Sequence, residues 1–377
     1  MELVYKGNQT NSGNKTLNDT LEFNLEAEVS DTRFYEWILI CLSVIVFVMG
    51  LVGNALVWFS VWRNPRMRSP TNIFLVNLAL ADFLVILICL PPTVIADYMG
   101  MWILGTAMCK VISYLQKVSV FVSVLTLTAI SLERWMAICR PLWFRQTSLR
   151  SRRIMVVIWI VSLGVAIPDL VAMTTLKAYA PTGKVIICGP WWNKLQEKIN
   201  ILFMFVVFYV IPLLIMTFTY AKVALCLWRS ASSKDDIESA AASVPRAQLM
   251  LRRKKAKMLI VVVMIFAICY LPVYMLFILK CTGVRITISH DAFKLIVLTA
   301  HWLCYFNSAI NPAIYNFMSC TFRREFRTAC KLCCVKERPL RFSEGAAINT
   351  ESTRRTRVNG SPNLHIYRRN FKHGLSS

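Results

Sequence analysis

Seven long apolar runs constrain this chain more than any other feature of its sequence. Each is close to the ~20 residues that an α-helix needs to cross the hydrocarbon core of a bilayer. Only a helix satisfies its own backbone polar groups there, and the runs lack the alternation of barrel strands. We therefore predict an all-α fold, a seven-transmembrane helix bundle, with spans at Trp37–Trp62, Thr71–Ala96, Thr106–Cys139, Ile154–Thr175, Ile199–Leu227, Met258–Leu279 and Ala292–Met318.

The charge distribution predicts how these runs are oriented. The chain of 377 residues carries 43 Lys and Arg against 20 Asp and Glu, a formal net charge of +23. Because 56% of the residues are hydrophobic, a disordered chain and a nucleic-acid-binding protein are both disfavoured. Most basic residues follow the first, third, fifth and seventh runs, as in cytoplasmic loops. This predicts an extracellular N-terminus and basic cytoplasmic segments that face anionic lipid.

The segments around the runs complete a prediction of four parts. They are an extracellular glycosylated tail (residues 1–36), the seven-transmembrane domain (37–318), a short amphipathic eighth helix with acylation cysteines (319–334), and a disordered cytoplasmic tail (335–377). Three sequons in the first part support its extracellular placement: Asn8, Asn14 and Asn18. Three cysteines are predicted palmitoylation sites, the alternative being exposed reduced thiols: Cys330, Cys333 and Cys334.

Polar side chains inside a span are costly and therefore mark candidate functional positions. Asp82 lies in the middle of the second run, and other runs supply the oxygen atoms of Asn54, Ser123, Asn307 and Asn311. We interpret this set as a hydrated site for a small cation; the alternative is polar contact between helices. With four histidines and no repeated cysteine pairs of zinc spacing, we expect no other metal and no cofactor.

One motif marks each run, and the order of the motifs is specific although each alone is weak. They are Gly53-Asn54, Leu78-Ala79-Leu80-Ala81-Asp82, Cys109, Glu133-Arg134-Trp135, Trp159, Pro212, Cys269-Tyr270-Leu271-Pro272 and Asn311-Pro312-Ala313-Ile314-Tyr315. In these motifs the chain resembles the class A (rhodopsin-like) G-protein-coupled receptors over nearly its whole length. The resemblance implies a multi-pass protein of the plasma membrane that acts with an extracellular ligand, a heterotrimeric G protein, arrestin and receptor kinases.

A second set of residues resembles the orexin receptors and the similar allatotropin receptors of insects. It comprises Tyr35-Glu36-Trp37, Cys89-Leu90-Pro91, Asp97, Tyr114-Leu115-Gln116, His301-Trp302 and Phe322-Arg323-Arg324-Glu325-Phe326. Phe277 stands where orexin receptors carry an Asn, so an allatotropin-like or another amidated neuropeptide is at least as well supported as orexin. Such relatives often use the phospholipase-C-coupled class of G protein, which is the expectation here.

The resemblance also implies roles for individual residues. A peptide pocket between the second, third, fifth, sixth and seventh runs would use Asp97, Gln116, Tyr270, Phe277 and His301. Activation and G-protein coupling, by outward movement of the sixth helix, would use Glu133, Arg134, Leu142, Tyr220, Phe266, Pro272 and Tyr315. The polar residues Asp82, Ser123, Asn307 and Asn311 match the family's sodium site. Cys109 and Cys188 lie on the predicted oxidising side and are expected to form a disulfide.

Two charged residues lie outside what the resemblance supplies. Lys117 follows Gln116 in the third run, and Asp169 follows Pro168 in the fourth. Each charge needs a hydrated pocket or an opposite charge, so we predict that the two pair at the pocket's edge. The alternative is that each snorkels separately to the outer interface. Two aromatic anchors in the following loop, Trp191 and Trp192, are further candidate ligand contacts.

Other classes of function fit these residues less well. A transporter would want several acids along a path and repeated broken helices, whereas core acids are few here. An opsin would need a Schiff-base Lys within the seventh run, but Lys294 lies at its outer end. Receptors for monoamines carry an Asp at the position of Gln116, so the resemblance disfavours a monoamine ligand. The sequence has no HExxH, GxSxG or P-loop motif, so an enzyme is disfavoured.

Overall fold

The computed structural model describes residues 34–140, 147–180, 183–232, 243–282 and 289–334. The predicted bundle is confirmed, because these residues include seven helices long and apolar enough to cross a membrane. A short helix follows the last of them, as predicted. We number the helices α1 to α10 in chain order and call the seven membrane passages spans 1 to 7.

Five spans are single helices: α1 (Phe34–Arg63), α4 (Gly105–Cys139), α5 (Ser148–Ala172), α8 (Ser243–Thr282) and α9 (His290–Met318). They form spans 1, 3, 4, 6 and 7. Span 2 comprises α2 (Pro70–Ile88) and α3 (Leu90–Met99). Span 5 comprises α6 (Lys194–Phe205), a π-helical turn at Val206–Val210, and α7 (Ile211–Ser232). A 3₁₀ turn at Pro65–Met67 follows α1, and α10 (Cys320–Cys334) follows α9.

Span 2 is interrupted at Cys89 because two prolines follow it. Pro91 and Pro92 have no N–H, so two backbone carbonyls of the preceding turn lose their helical donors. The next carbonyl, that of Cys89, accepts both the Thr93 N–H at 3.1 Å and the Thr93 hydroxyl at 2.8 Å, so helical bonding resumes there. The interruption sets the direction of α3, the short helix that carries Thr93 and Asp97 toward the middle of the bundle.

The segment after span 4 is a β-hairpin, which the sequence did not predict. α5 ends at Ala172, and β1 (Met173–Ala180) pairs antiparallel with β2 (Gly183–Pro190). The Trp102 N–H donates to the Ile186 carbonyl at 2.7 Å, which attaches the turn after α3 to this hairpin. We call this end of the bundle the hairpin end, and the opposite end, which carries α10, the α10 end.

The predicted disulfide between Cys109 and Cys188 is confirmed. Cys109 lies near the start of α4 and is fully buried, while Cys188 lies in β2 opposite Thr175. The Thr175 hydroxyl also lies 2.7 Å from the Thr106 hydroxyl. The hairpin is therefore fixed to the end of span 3 by one covalent bond and one hydrogen bond.

The π-helical turn places two aromatic residues of span 5 inside the bundle. Phe208 stacks on Phe121 of span 3 with ring centroids 3.8 Å apart. The Tyr209 hydroxyl donates to the Ala267 carbonyl of span 6 at 2.8 Å. A π turn holds one residue more than an α turn, so it changes which side chains of the preceding helix face inward.

The amphipathic helix α10 packs its apolar face against the bundle. Phe322 and Phe326 are buried, and the Phe322 ring lies 5.6 Å from that of Tyr315 in span 7. The Asn64 amide donates to Glu325 at 3.2 Å and ties α10 to the turn after α1. The basic residues Arg324 and Arg327 lie on the remaining, exposed surface.

Spans 1 and 7 approach most closely where a side chain is missing. A Cβ added at Gly53 would lie 2.9 Å from two ring atoms of Pro312, which is too close for an unstrained contact. We expect Gly53→Ala to lower the free energy of unfolding by about 1–3 kcal/mol. Gly164 has no atom within 4 Å of its added Cβ, so Gly164→Ala should be neutral or slightly stabilising. Thermal unfolding in detergent compares the two; equal melting temperatures would contradict the steric argument.

Candidate functional site

A pocket lies at the hairpin end, between spans 1, 2 and 7. Its empty space is about 470 Å³ when the open mouth is included. Polar and aromatic side chains on its wall are Glu36, Asp97, Tyr98, His301, Trp302 and Tyr305. The pocket therefore combines carboxylates with aromatic surface.

One histidine contact and one ion pair hold the carboxylates of this pocket in place. His301 Nδ1 lies 2.9 Å from Asp97 Oδ2, and Lys294 Nζ lies 2.6 Å from Glu36 Oε1. The two predicted ligand residues Asp97 and His301 are thus in direct contact. Glu36 was recognised in sequence only as part of a motif, and its position on the pocket wall is new.

A hydrogen-bonded network crosses the bundle beneath this pocket. Gln116 Nε2 donates to the Tyr305 hydroxyl at 2.6 Å and to Thr93 Oγ1 at 3.0 Å. The two hydroxyls are 2.8 Å apart. None of the hydrogen bonds between described residues uses Gln116 Oε1, so this atom is available as an acceptor. Thr93 and Tyr305 were missed in sequence, because single hydroxyls in apolar helices have no distinctive pattern.

The predicted contact between Lys117 and Asp169 is present in the structure. Lys117 Nζ lies 3.3 Å from Asp169 Oδ1, with side chains 32% and 8% exposed. The second carboxylate oxygen, Oδ2, is buried and has no hydrogen-bond partner among the described residues. A largely buried carboxylate therefore depends on one half-buried ammonium group.

The other ligand candidates occupy two further places. Tyr270 is buried and its ring lies 4.8 Å from that of Phe266 in a tilted arrangement, within an aromatic cluster of spans 5 and 6. Phe277 is 38% exposed, and its ring lies 6.5 Å from that of Tyr274 in the same cluster. Trp191 and Trp192 follow β2; Trp191 is 58% exposed, and its indole donates to the Val171 carbonyl. The candidates thus form several groups rather than one compact site.

A buried polar centre surrounds Asp82 in the middle of the bundle. Asn311 Nδ2 donates to Asp82 Oδ2 at 2.8 Å, and the side chains of Ser123 and Ser308 lie close enough to interact with the carboxylate. Asp82 Oδ1 and Asn311 Oδ1 are buried without a hydrogen-bond partner among the described residues. Converging, unpaired oxygens of this kind fit the coordination that a hard cation prefers, by analogy with other oxygen-liganded ions.

One residue near this centre was not predicted. Ser308 is buried and its side chain lies close to the Asp82 carboxylate. The predicted residue Asn307 is also buried. The sodium site at Asp82, Ser123, Asn307 and Asn311 stays a prediction. A bound cation would compensate the carboxylate charge.

The predicted coupling residues lie toward the α10 end and in the core above it. Glu133 is buried and accepts a hydrogen bond from the Ser151 hydroxyl at 3.2 Å, while Arg134 is half-buried. Three aromatic side chains of the set are buried: Tyr220, Phe266 and Tyr315. Pro272 lies inside α8, where a missing N–H permits bending. Leu142 lies outside the described residues.

Most of the predicted modification sites lie outside the residues that the structure describes. Asn8, Asn14 and Asn18 precede the first described residue. Cys330 is an exposed free cysteine at the end of α10. Cys333 and Cys334 also lie in α10, but their side chains are outside the description.

Seven spans, a polar pocket at one end and a charged centre in the core define a multi-pass membrane protein of the receptor type. The sequence profile described as 7 transmembrane receptor (rhodopsin family) matches residues 53–315. The chain belongs to this family of rhodopsin-like receptors, as the order of motifs predicts.

Two relatives are named for peptides. The chain is 32% identical over 332 residues to a QRFP-like peptide receptor of Branchiostoma floridae, covering 86% of each chain. It is 31% identical over 310 residues to a RYamide receptor of Drosophila melanogaster, covering 80% of this chain and 65% of that protein. Neither is named as an orexin or allatotropin receptor. The class A prediction is confirmed, while the narrower resemblance stays a prediction.

Proposed function

We propose that this chain is a neuropeptide-activated receptor of the plasma membrane that acts on a heterotrimeric G protein. Membership of the receptor family and the peptide names of two relatives support this proposal. In this proposal the hairpin end faces the outside and the α10 end faces the cytoplasm. The sequons before span 1 and the basic segments at the α10 end support that orientation.

The Gln116 network favours a ligand with a terminal carboxamide. The free Gln116 Oε1 accepts a hydrogen bond, and a primary amide supplies an N–H donor for it. A terminal carboxylate has no donor and would place its charge against this carbonyl. A site built around a hydrogen bond discriminates strongly against an analogue that lacks the matching group. We therefore propose a peptide with an amidated C-terminus.

The comparisons and the motifs support different members of this ligand class. QRFP-like and RYamide-type peptides come first, because the relatives named for them align over most of this chain. Orexin- and allatotropin-like peptides are the second candidates, because Asp97, Gln116 and His301 match those receptors. Asp97 and His301 line the pocket, and Gln116 donates to its lining residues Thr93 and Tyr305. A panel of all four kinds, screened for calcium release in cells, distinguishes them.

Replacing Gln116 tests the carboxamide proposal directly. We expect Gln116→Met to reduce the potency of the best amidated peptide by about tenfold, which corresponds to one lost hydrogen bond. The free-acid form of the same peptide should be weak on both receptors. Gln196→Met, a change in the capping box of α6 at the same end, is the control. An equal loss of potency for amide and acid would show that Gln116 does not bind the C-terminus.

Transmission to the G protein is proposed to run through the aromatic cluster of spans 5 and 6. Tyr270, Phe266 and Tyr209 are in ring contact, and Pro272 follows in the same helix as Tyr270. A peptide that binds the active arrangement better shifts the equilibrium only by its differential affinity. Outward movement of span 6 would then change the surroundings of Arg134 and admit the G protein.

Sodium is proposed to oppose this equilibrium through the Asp82 centre. Binding to the inactive arrangement should lower agonist affinity, by roughly fivefold or more for a typical coupling. Agonist affinity in membranes is measured in sodium and in a large organic cation at equal ionic strength. The isosteric variant Asp82→Asn should lose the difference between the two salts. Equal affinities in the parent receptor would leave Asp82 with a structural role only.

The remaining partners and modifications are part of the same proposal. We place glycans at Asn8, Asn14 and Asn18, and palmitate at Cys330, Cys333 and Cys334. Arrestin and receptor kinases would act at the cytoplasmic side. The phospholipase-C-coupled class of G protein is the first to test, because calcium release reports it directly.

A further inference from the structure

Two cysteines that are distant in sequence meet between spans 3 and 5 at the α10 end. Cys139 is the last residue of α4, and Cys226 lies in α7. Cys139 Sγ lies 3.7 Å from the Lys222 carbonyl oxygen, and Cys226 Sγ lies 3.9 Å from the Ile138 carbonyl oxygen. Both contacts lie at the same crossing of the two helices, so the two cysteines are neighbours across it. Each sulfur therefore faces the opposite helix.

These thiols differ from the cysteines that fill the core. Cys89 and Cys269 are buried and act as small apolar side chains, whereas Cys139 and Cys226 are half-buried free cysteines. Cys139 packs at the edge of an apolar cluster in which spans 3, 5 and 6 meet around Val223. This location gives the pair both a fixed geometry and partial access to solvent.

We propose that Cys139 and Cys226 form a redox-sensitive dithiol, which a peroxide converts into a disulfide between spans 3 and 5. One thiolate attacks hydrogen peroxide and becomes a sulfenic acid, with release of water. The second thiol attacks that sulfur, forms the S–S bond and releases another water. The pair loses two electrons, and one peroxide is reduced. A disulfide needs the sulfurs about 2.05 Å apart, so the two thiols, each already directed at the opposite helix, must move toward each other to form it.

The disulfide would restrain the part of the molecule that acts on the G protein. Cys139 lies on the same helix as Arg134, and Cys226 lies on the same helix as Tyr220. A covalent bond between these helices would fix the spacing of the two coupling residues. The consequence, which rests on the proposed function, is a reversible loss of agonist-stimulated nucleotide exchange. Cytosolic disulfides are usually of this transient, redox-sensing kind.

Peptide mapping without reduction tests whether the bond forms. The purified full-length receptor is treated with hydrogen peroxide, alkylated and digested. We expect a peptide pair linked through Cys139 and Cys226, which is absent before treatment and absent in Cys226→Ser. The variant Cys281→Ser, a half-buried cysteine at the hairpin end, should still form the link. Two free thiols, or two thiols oxidised separately, would overturn the proposal.

Nucleotide exchange on the G protein tests the consequence. We expect peroxide to remove most of the agonist-stimulated exchange in the parent receptor and a thiol reductant to restore it. Cys226→Ser should keep its agonist-stimulated exchange under peroxide. The same variant treated with the reductant alone shows whether reduction of the Cys109–Cys188 bond affects exchange. A linked pair with unchanged exchange would overturn the regulatory role. A reduced receptor that responds to no peptide would count against the proposed function, while the mapping still decides whether the disulfide forms.

Discussion

Replacing Cys188 by serine should lower the free energy of unfolding by about 2–4 kcal/mol, the usual contribution of a native disulfide. The bond joins residues 79 positions apart and closes a loop that contains most of span 3, all of span 4 and β1. It also fixes the hairpin beside the pocket. We therefore expect the variant to lose both thermal stability and affinity for its peptide.

Thermal unfolding of the purified receptor checks this expectation. Cys109→Ser and the double variant should show the same loss as Cys188→Ser, because all three remove one shared bond. Cys41→Ser, at an exposed free cysteine of span 1, is the control and should leave the melting temperature nearly unchanged. Additive losses in the double variant would show that the two cysteines stabilise the protein separately.

Breaking the ion pair between spans 3 and 4 should cause the next largest loss of stability. Asp169 is 8% exposed and Lys117 is 32% exposed, so the two partners respond differently to the loss of the other. Lys117→Met leaves a buried carboxylate without compensation and should lower the free energy of unfolding by about 1.5–3 kcal/mol. Asp169→Asn should cost less, because a half-buried lysine can extend its ammonium group into water.

A double-mutant cycle separates pairing from two independent effects. The exchanged variant, with Lys117→Asp and Asp169→Lys together, should recover part of the loss in peptide affinity and surface expression. The more exposed pair of Lys280 and Glu197 is the control, since pairs near the surface contribute little. Strictly additive losses at positions 117 and 169 would show that the charges act separately.

The sequence was sufficient for the membrane architecture, and it suggested this ion pair without excluding separate snorkelling, for related physical reasons. Long apolar runs have one low-energy solution in a bilayer, so the seven spans follow directly from hydropathy. Lys117 and Asp169 are conspicuous against apolar neighbours, and a buried charge requires compensation. In both cases the surroundings make the alternatives costly.

Features that depend on contacts between segments were not visible in sequence. The hairpin was missed because Met173, Thr174 and Thr175 continue the apolar run of span 4 closely enough to be read as its last turn. Ser308 and Thr93 were missed because a hydroxyl in a helix can bond to its own backbone, as Thr93 does to the Cys89 carbonyl. Their roles follow from neighbours on other spans, which a single sequence does not identify.

The π-helical turn of span 5 has a consequence for changes in chain length. An α-helix advances by about 100° per residue, so deleting one residue within Val206–Val210 would rotate α6 by that angle relative to α7. Glu197 would then turn away from Lys280, its present partner on span 6. A chain with one residue fewer here would present a different face of α6 to span 6, while α7 kept its present orientation. Insertion or deletion at this turn would therefore change the packing of the hairpin-end half of span 5 without changing its other half.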